Sequence, residues 1–309
     1  MTSPRHSVAL LTKDGVRTLP ALLDALLAQR VSGGLEIVAV DSGSTDGTAD
    51  ILSGRVTDLV RIQPNEFDHG LTRNLAISRT HGQLVALVVQ DALPLGAEWL
   101  DTLSRPLAVD ESLAGTFARQ APRANASGIT RHYLTNWLAA SSTGMTMQLP
   151  GGAAELDALT PMERLARCTF DNVASCIRRS VWEQHPFKAT PIAEDVEWAR
   201  EVLLAGYGLR FVPEAVVVHS HDRSAAYEYA RTRALHERLY DLFQLQTIPT
   251  RPALARAVAS SMILHLRREW RAPLRWPHVL ALAVAWPLGQ YVGARRGREF
   301  GGTKAPGLN

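Results

Sequence analysis

Leu35-Glu36-Ile37-Val38-Ala39-Val40-Asp41-Ser42-Gly43-Ser44-Thr45-Asp46-Gly47-Thr48 decides how this chain is read. Its first six residues are mostly apolar, and three of them, Ile37, Val38 and Val40, are β-branched, the composition of a strand buried on both faces of a parallel sheet. Asp41 leaves the strand's carboxyl end, and Gly43 with its flanking serines lets the backbone turn. Asp46 or Ser44 is placed to cap a helix beginning near Thr48. Ligands of open α/β sheets bind at such strand ends. As punctuation alone the turn requires no ligand. Its weight comes from a second strand ending in an acid, Leu84-Val85-Ala86-Leu87-Val88-Val89-Gln90-Asp91, and from Glu194-Asp195 downstream.

Around this stretch, apolar runs at 7–11, 35–40, 59–63 and 84–89 read as strands. Helical patterns at 19–30, 48–52, 72–79 and 97–107 alternate with them. That rhythm implies a mostly parallel sheet flanked by helices. A further strand is expected at 113–120. Residues 141–161, with Gly144, Pro150-Gly151-Gly152 and Pro161, show no period and read as a lid or as disorder. Short strands follow at 173–177, 209–212 and 215–219, with helices at 179–184 and 194–204. Beyond Ser224 the chain reads as helical and arginine-rich, broken near Pro249, Pro252, Pro273 and Pro277.

The chain has 309 residues, 46% of them hydrophobic, enough for a sizeable core. Its net charge of +3 hides a division. Residues 1–222 hold 19 Lys+Arg against 25 Asp+Glu, and residues 223–309 hold 14 against 5, so −6 and +9 sum to +3. An acidic body with a basic tail suggests an anionic partner for the tail. Cys168 and Cys176 lack metal-ligand spacing and read as free thiols of a reducing compartment. No apolar leader stands before residue 7, and no apolar run approaches the ~20 residues of a membrane span. These features predict a cytoplasmic protein.

Four clusters carry chemistry. Asp91 at a strand end can hold a divalent cation against a diphosphate, since Mg²⁺ takes one or two carboxylates plus phosphate oxygens; it could equally cap a helix. Glu194-Asp195-Val196-Glu197-Trp198 opens a helix, whose dipole favours acids there. Adjacent acids also raise one another's pKa, as a base working near neutrality requires. Phe67-Asp68-His69-Gly70-Leu71-Thr72-Arg73-Asn74 joins a helix start to a forked cation, Arg73, and both suit phosphate. His219-Ser220-His221 leaves a strand end, and histidines there serve structure or bind metal and diphosphate.

Together these motifs resemble the GT-A glycosyltransferases of inverting family 2, over residues 7–222. The resemblance implies an α/β GT-A fold with a mostly parallel nucleotide-binding sheet flanked by helices and a C-terminal helical appendage. It divides the chain into a catalytic domain, 1–222, and a basic helical region, 223–309. It implies that Asp195 is the catalytic base, with Glu194 and Trp198 on the acceptor side. Thr12, Asp41, Ser42, Arg73, Gln90, Asp91 and His219 become donor-binding residues, and Asp91 and His219 ligands of Mg²⁺ or Mn²⁺. The family usually has two acids where Gln90-Asp91 stands. The string 67–74, Gln90-Asp91-Ala92-Leu93-Pro94 and Ser42 after Asp41 are similar to the rhamnosyltransferase branch. They point to dTDP-L-rhamnose as donor and to a glycan or lipid-linked glycan acceptor.

Other readings stay open on sequence: a UDP- or GDP-linked donor, a nucleotidyltransferase, or an inactive membrane-associated assembly partner. Thr12-Lys13-Asp14-Gly15 is a poor match to a nucleotidyltransferase's Gly-rich basic loop. In the tail, Arg267, Arg268, Arg271 and Arg275 stand near Trp270, Trp276 and Trp286. Such helices lie on an anionic membrane surface, here the inner face of the cytoplasmic membrane, or pack as an appendage with a solvated basic face. No nucleic-acid motif accompanies the arginines.

Overall fold

Alternation within the first strand sets two apolar layers. In β1 (His6–Thr12), Val8 and Leu10 join one buried cluster while Ala9 joins the other. The computed structural model describes residues 6–300, so the start Met1-Thr2-Ser3-Pro4-Arg5 lies outside them. α1 (Leu19–Leu27), β2 (Leu35–Asp41), α2 (Thr48–Leu52), β3 (Asp58–Arg61), α3 (His69–Ser78) and β4 (Leu84–Val89) complete the expected alternation. Next come β5 (Leu93–Pro94), α4 (Trp99–Val109), β6 (Leu113–Ala121), α5 (Gly128–Thr135), β7 (Met145–Met147), α6 (Gly152–Ala158) and α7 (Pro161–Arg167). β8 (Ala174–Arg178), α8 (Arg179–Gln184), α9 (Glu194–Leu204) and β9 (Gly208–Val218) close the sheet.

The sheet order is β3-β2-β1-β4-β8-β6-β9-β5, with β7 also on β9. Pairs β1–β2, β1–β4, β2–β3 and β6–β9 are parallel, and β4–β8 and β6–β8 antiparallel. Direction fixes where each loop emerges. The carboxyl ends of β1, β2, β4, β6 and β9 share one edge, and β8, running oppositely, begins at that edge. Thr12, Asp41, Asp91, Arg123, Asp171 and His219 are thereby gathered from distant parts of the chain. On one face lie α1 and α4, with Leu19, Leu23, Trp99 and Leu103 buried; on the other lie α3 and α9, with Ile77 and Trp198 buried.

Several sequence expectations are corrected. Residues 141–161 form neither a lid nor a disordered segment. Met147, Leu149 and Leu156 are buried in the main core, β7 pairs with β9, and α6 follows. The two strands expected at 209–212 and 215–219 are one, β9, whose pairing with β6 shifts register between Ala118 and Arg119. α5 was not expected. The N-cap of α2 is the left-handed Gly47, and Asp46 before it accepts from Thr48 N, the first amide of the helix, at 3.0 Å, whereas Ser44 makes no bond to the helix. Both side chains also tie loops together, Asp46 accepting from Val16 N and Ser44 from Asp14 N. Cys168 and Cys176 are buried thiols, and burial pushes both up to about 12.

The tail folds as α10 (Ala225–Phe243), α11 (Arg251–Arg268) and α12 (Trp276–Phe300). Leu239, Phe243 and Leu245 join the same apolar cluster as Trp198 and Phe211, and Arg238 pairs with Glu197 of α9 at 2.5 Å. Among the described residues no helix is long and apolar enough to cross a membrane.

Gly289, Gly293 and Gly297 recur every four residues on α12 and face α10. A Cβ at Gly293 would lie 2.2 Å from the Arg233 carbonyl oxygen. In an open helix Gly→Ala stabilises by up to about 1 kcal/mol. Here backbone overlap outweighs that gain, and Gly293→Ala is expected to destabilise by about 1–3 kcal/mol. A denaturant midpoint that rises would show that α10 and α12 do not approach this closely.

Candidate functional site

At the β1–β2 end of the edge, Thr12 pairs in register with Asp41. Thr12 Oγ1 donates to Asp41 Oδ1 at 3.2 Å, and Ser44 N donates to Asp41 Oδ2 at 3.0 Å. The Ser44 hydroxyl is also bonded to Asp41 Oδ1. Ser42 Oγ is buried beside them without a hydrogen-bond partner. Gln90 sutures the neighbouring loop: its Oε1 accepts from Lys13 N at 2.8 Å and its Nε2 donates to Lys13 O at 2.7 Å. A carboxylate could accept there but not donate. That double bond is a structural reason for an amide at the position where a second acid was expected.

Next along the edge, Asp91, His219 and His221 offer ligand atoms that all lie within 4.8 Å of one another. His219 Nε2 stands 3.6 Å from Asp91 Oδ1, and His221 Nε2 stands 3.2 Å from Asp91 Oδ2. Arg123 Nη2 also reaches Asp91 Oδ2, at 3.1 Å. His219 Nδ1 lies 2.8 Å from Gln120 Oε1. An amide oxygen can only accept, so Nδ1 carries the proton and Nε2 turns its lone pair toward Asp91. Burial lowers His219 to about 4 despite the Asp91 charge, and lowers His221 also. Both rings are therefore neutral near pH 7, the form that ligates metal. Two imidazoles with one carboxylate fit Mn²⁺ better than Mg²⁺, which favours oxygen alone.

Gln120 is also the bridge to the third cluster, because its Nε2 donates to Asp171 Oδ2 at 2.5 Å. Asp171 precedes β8, while Glu194 and Asp195 open α9 behind the left-handed Ala193. Asp195 is part-exposed. Its Oδ1 accepts from Val196 N at 2.8 Å and its Oδ2 from Asn172 N at 3.4 Å. Burial, then the charges of Glu194 and Asp171, push Asp195 up to about 8. Burial acts on Glu194 in the same sense, but Arg73, with Nη2 3.2 Å from Glu194 Oε1, and His69 hold it below the usual range. Two adjacent carboxyls thus divide: one stays ionised in a buried ion pair, and the other takes up a proton near neutrality.

Burial and pairing already occupy several of the groups expected at the site. Arg73 is 6% exposed and paired with Glu194, so its guanidinium is not open to a phosphate. The first amides of α3 are likewise taken, since Asp68 accepts from Gly70 N and Leu71 N at 2.9 Å. Glu194 is buried against Arg73 and Asn172, and Trp198 is packed between Phe170 and Phe187 with its indole donating to His185 O, so neither side chain is exposed at the edge. Sequence reasoning missed Arg123, Gln120 and Asp171 and ranked His221 below His219. A usable signal was topological: β6 and β9 end, and β8 begins, at the Asp91 edge. Arg231 of α10 was also missed as a neighbour of the site; its charge is felt at Asp171, His69 and His221.

Residues 7–144 match the family model Glycosyl transferase family 2. The O-antigen chain rhamnosyltransferase RfbN of Salmonella typhimurium is 28% identical over 217 residues, 69% of this chain and 65% of that protein. WbaN, an O-antigen chain rhamnosyltransferase of Salmonella anatum, is 29% identical over 205 residues, 63% of this chain and 60% of that protein. The chain therefore spans less than two thirds of either relative's length. Among solved structures, the mannosyltransferase PcManGT from Pyrobaculum calidifontis, in complex with GDP-Man and Mn²⁺, superposes with a TM-score of 0.59. It is 18% identical, over 96% of this chain and 87% of that one, a likeness of fold. The sheet, its acid-bearing strand ends and the likeness to the mannosyltransferase describe one fold, and within it residues 7–144 are the part that matches glycosyl transferase family 2.

Proposed function

We propose that the protein transfers L-rhamnose from dTDP-L-rhamnose, with inversion, to a hydroxyl of a bacterial surface glycan or its lipid-linked precursor. The observation that carries this reading is the hydrogen-bonded line His219–Gln120–Asp171 between the Asp91 cluster and the acids at Asp195. It sets a diphosphate-charge site and a carboxylate base side by side on one sheet edge. In the reaction the acceptor oxygen attacks the anomeric carbon, its proton passes to Asp195, and the bond to the diphosphate oxygen breaks on the opposite face. Asp91, His219 and His221 are the residues that would hold a divalent cation, Mn²⁺ in preference to Mg²⁺; when bound, it neutralises charge on the departing diphosphate. Arg123 and Arg223, which line a hollow of about 230 Å³ with His221, add positive charge at the same place. Thr12, Asp41 and Ser42 form the nucleoside end, and residues 1–222 are the catalytic unit. The donor assignment is supported by the two rhamnosyltransferase relatives and by the 67–74 string.

The test is a panel of nucleotide sugars read by melting temperature in Mn²⁺ and by product formation. A specific donor at a hundred times its Kd stabilises by about 2.7 kcal/mol. dTDP-rhamnose is expected to do so, and UDP-glucose and GDP-mannose are not. A larger shift with either of those, accompanied by product, reassigns the donor within the family. Nucleotide binding without transfer to any hydroxyl acceptor favours the inactive assembly partner.

A further inference from the structure

The turn joining α11 to α12 is mounted rigidly and yet exposes its most apolar side chains. His265 is buried, with Nε2 3.0 Å from Tyr133 OH and Nδ1 3.2 Å from Val279 O. Glu269 is buried also, its Oε1 accepting from Ile129 N at 3.2 Å. Between these fixings Leu274 is 98% exposed, Trp270 62% and Trp276 40%, and the Arg271 guanidinium lies 4.7 Å from the Trp270 ring centre. Arg267, Arg268, Arg271 and Arg275 are exposed on the same turn. Its only acid, Glu269, points inward. Asp222 and Glu228, which line the adjoining cavity with Arg275, are hydrogen-bonded, Asp222 to Thr130 and Ser127 and Glu228 to Trp286. The outward charge of residues 267–275 is therefore all positive.

A soluble partner's apolar groove would account for the tryptophans and leucine, and an anion for the arginines. An anionic bilayer accounts for both on one surface, since cationic heads sit at lipid phosphates while indole and leucine side chains enter the interface. We infer that the α11–α12 turn, residues 267–276, is a docking surface for an anionic lipid membrane. The turn also borders a cavity of about 230 Å³ whose lining runs from Arg275, His278, Val279 and Trp286 to His221 of the Asp91 cluster. The docking itself is read without donor or acceptor and does not depend on the transfer reaction.

The experiment is flotation of the full chain with phosphatidylcholine vesicles, with and without phosphatidylglycerol, over a range of salt. Binding is expected only with the anionic lipid and falls as salt rises, because each arginine near such a surface strengthens partition about five-fold before screening. Changing Arg267, Arg268, Arg271 and Arg275 to Gln is expected to weaken binding about 10²-fold at low salt. Trp270→Ser with Leu274→Ser removes the part that survives high salt. All these side chains are exposed, so both variants should melt like the wild type and keep nucleotide binding. Equal binding of wild type and the four-arginine variant, or no binding at low salt, overturns the inference. So does a dimer in solution that the same substitutions dissolve, or single-stranded RNA bound through these arginines while vesicles are ignored.

Discussion

Asp195→Asn is expected to abolish sugar transfer, leave donor binding intact and make the protein more stable. An amide cannot take the acceptor's proton, and loss of a general base costs about 10²–10⁴-fold in turnover. The stability gain follows from the same environment. Asp195 ionises near pH 8 in the folded chain, because burial and the Glu194 and Asp171 charges oppose its ionisation. In the unfolded chain it ionises near the ordinary aspartate value of about 4. Between those values the folded state holds a proton that the unfolded state has released, so stability falls as pH rises from about 4 toward 8. Asparagine removes that slope, with an expected gain of about 1–2 kcal/mol at pH 8. Transfer by the wild type should have the opposite profile, rising with pH through the Asp195 ionisation. The decisive pair of measurements is turnover and melting temperature on one preparation. Near-normal turnover removes Asp195 from the role, and a lowered melting temperature shows that its carboxylate was a structural partner.

The sheet was legible because its strands are short apolar runs, each closed by a polar turn, from Leu35–Asp41 to Leu84–Val89. Asp41, Asp91 and Asp195 were legible for a related reason: an acid at the end of an apolar strand or the start of a helix stands out in one dimension. The partners of these acids do not stand out. Arg73 looks free in sequence, and only the packing of α3 against α9 shows that Glu194 already holds it. Gln90 looks like a lost ligand until its amide is seen bonded at both ends to the Lys13 backbone. Gln120 and Asp171 sit 51 residues apart, and their meeting depends on the antiparallel β8 entering the sheet between β4 and β6. The tail shows the same limit. Its charge was plain, but the glycine face of α12 that seats α10 needs the partner helix to be recognised.

Asp91→Ala is expected to lower turnover about 10³-fold, the several kcal/mol assigned to charge neutralisation on a leaving diphosphate. It should also weaken nucleotide binding only when a divalent cation is present. Asp91 is the carboxylate to which Arg123, His219 and His221 all turn. Removing it leaves two neutral imidazoles, a poor set for Mn²⁺, and frees Arg123 as an unpaired cation beside them. Nucleotide affinity measured with Mn²⁺ and with EDTA separates the two contributions. Wild type should bind more weakly in EDTA; Asp91→Ala should bind equally in both, with Arg123 holding part of the phosphate charge. Gln120→Leu supplies an independent check, because it touches no ligand atom of the cluster's open side yet loses the bond that fixes the His219 tautomer. Loss of such a supporting bond typically costs 10–100-fold in metal affinity. If wild-type affinity is the same in Mn²⁺ and EDTA, the cation has no place in donor binding. The diphosphate charge then falls to Arg123 and Arg223, because Arg73, buried against Glu194, has none to lend.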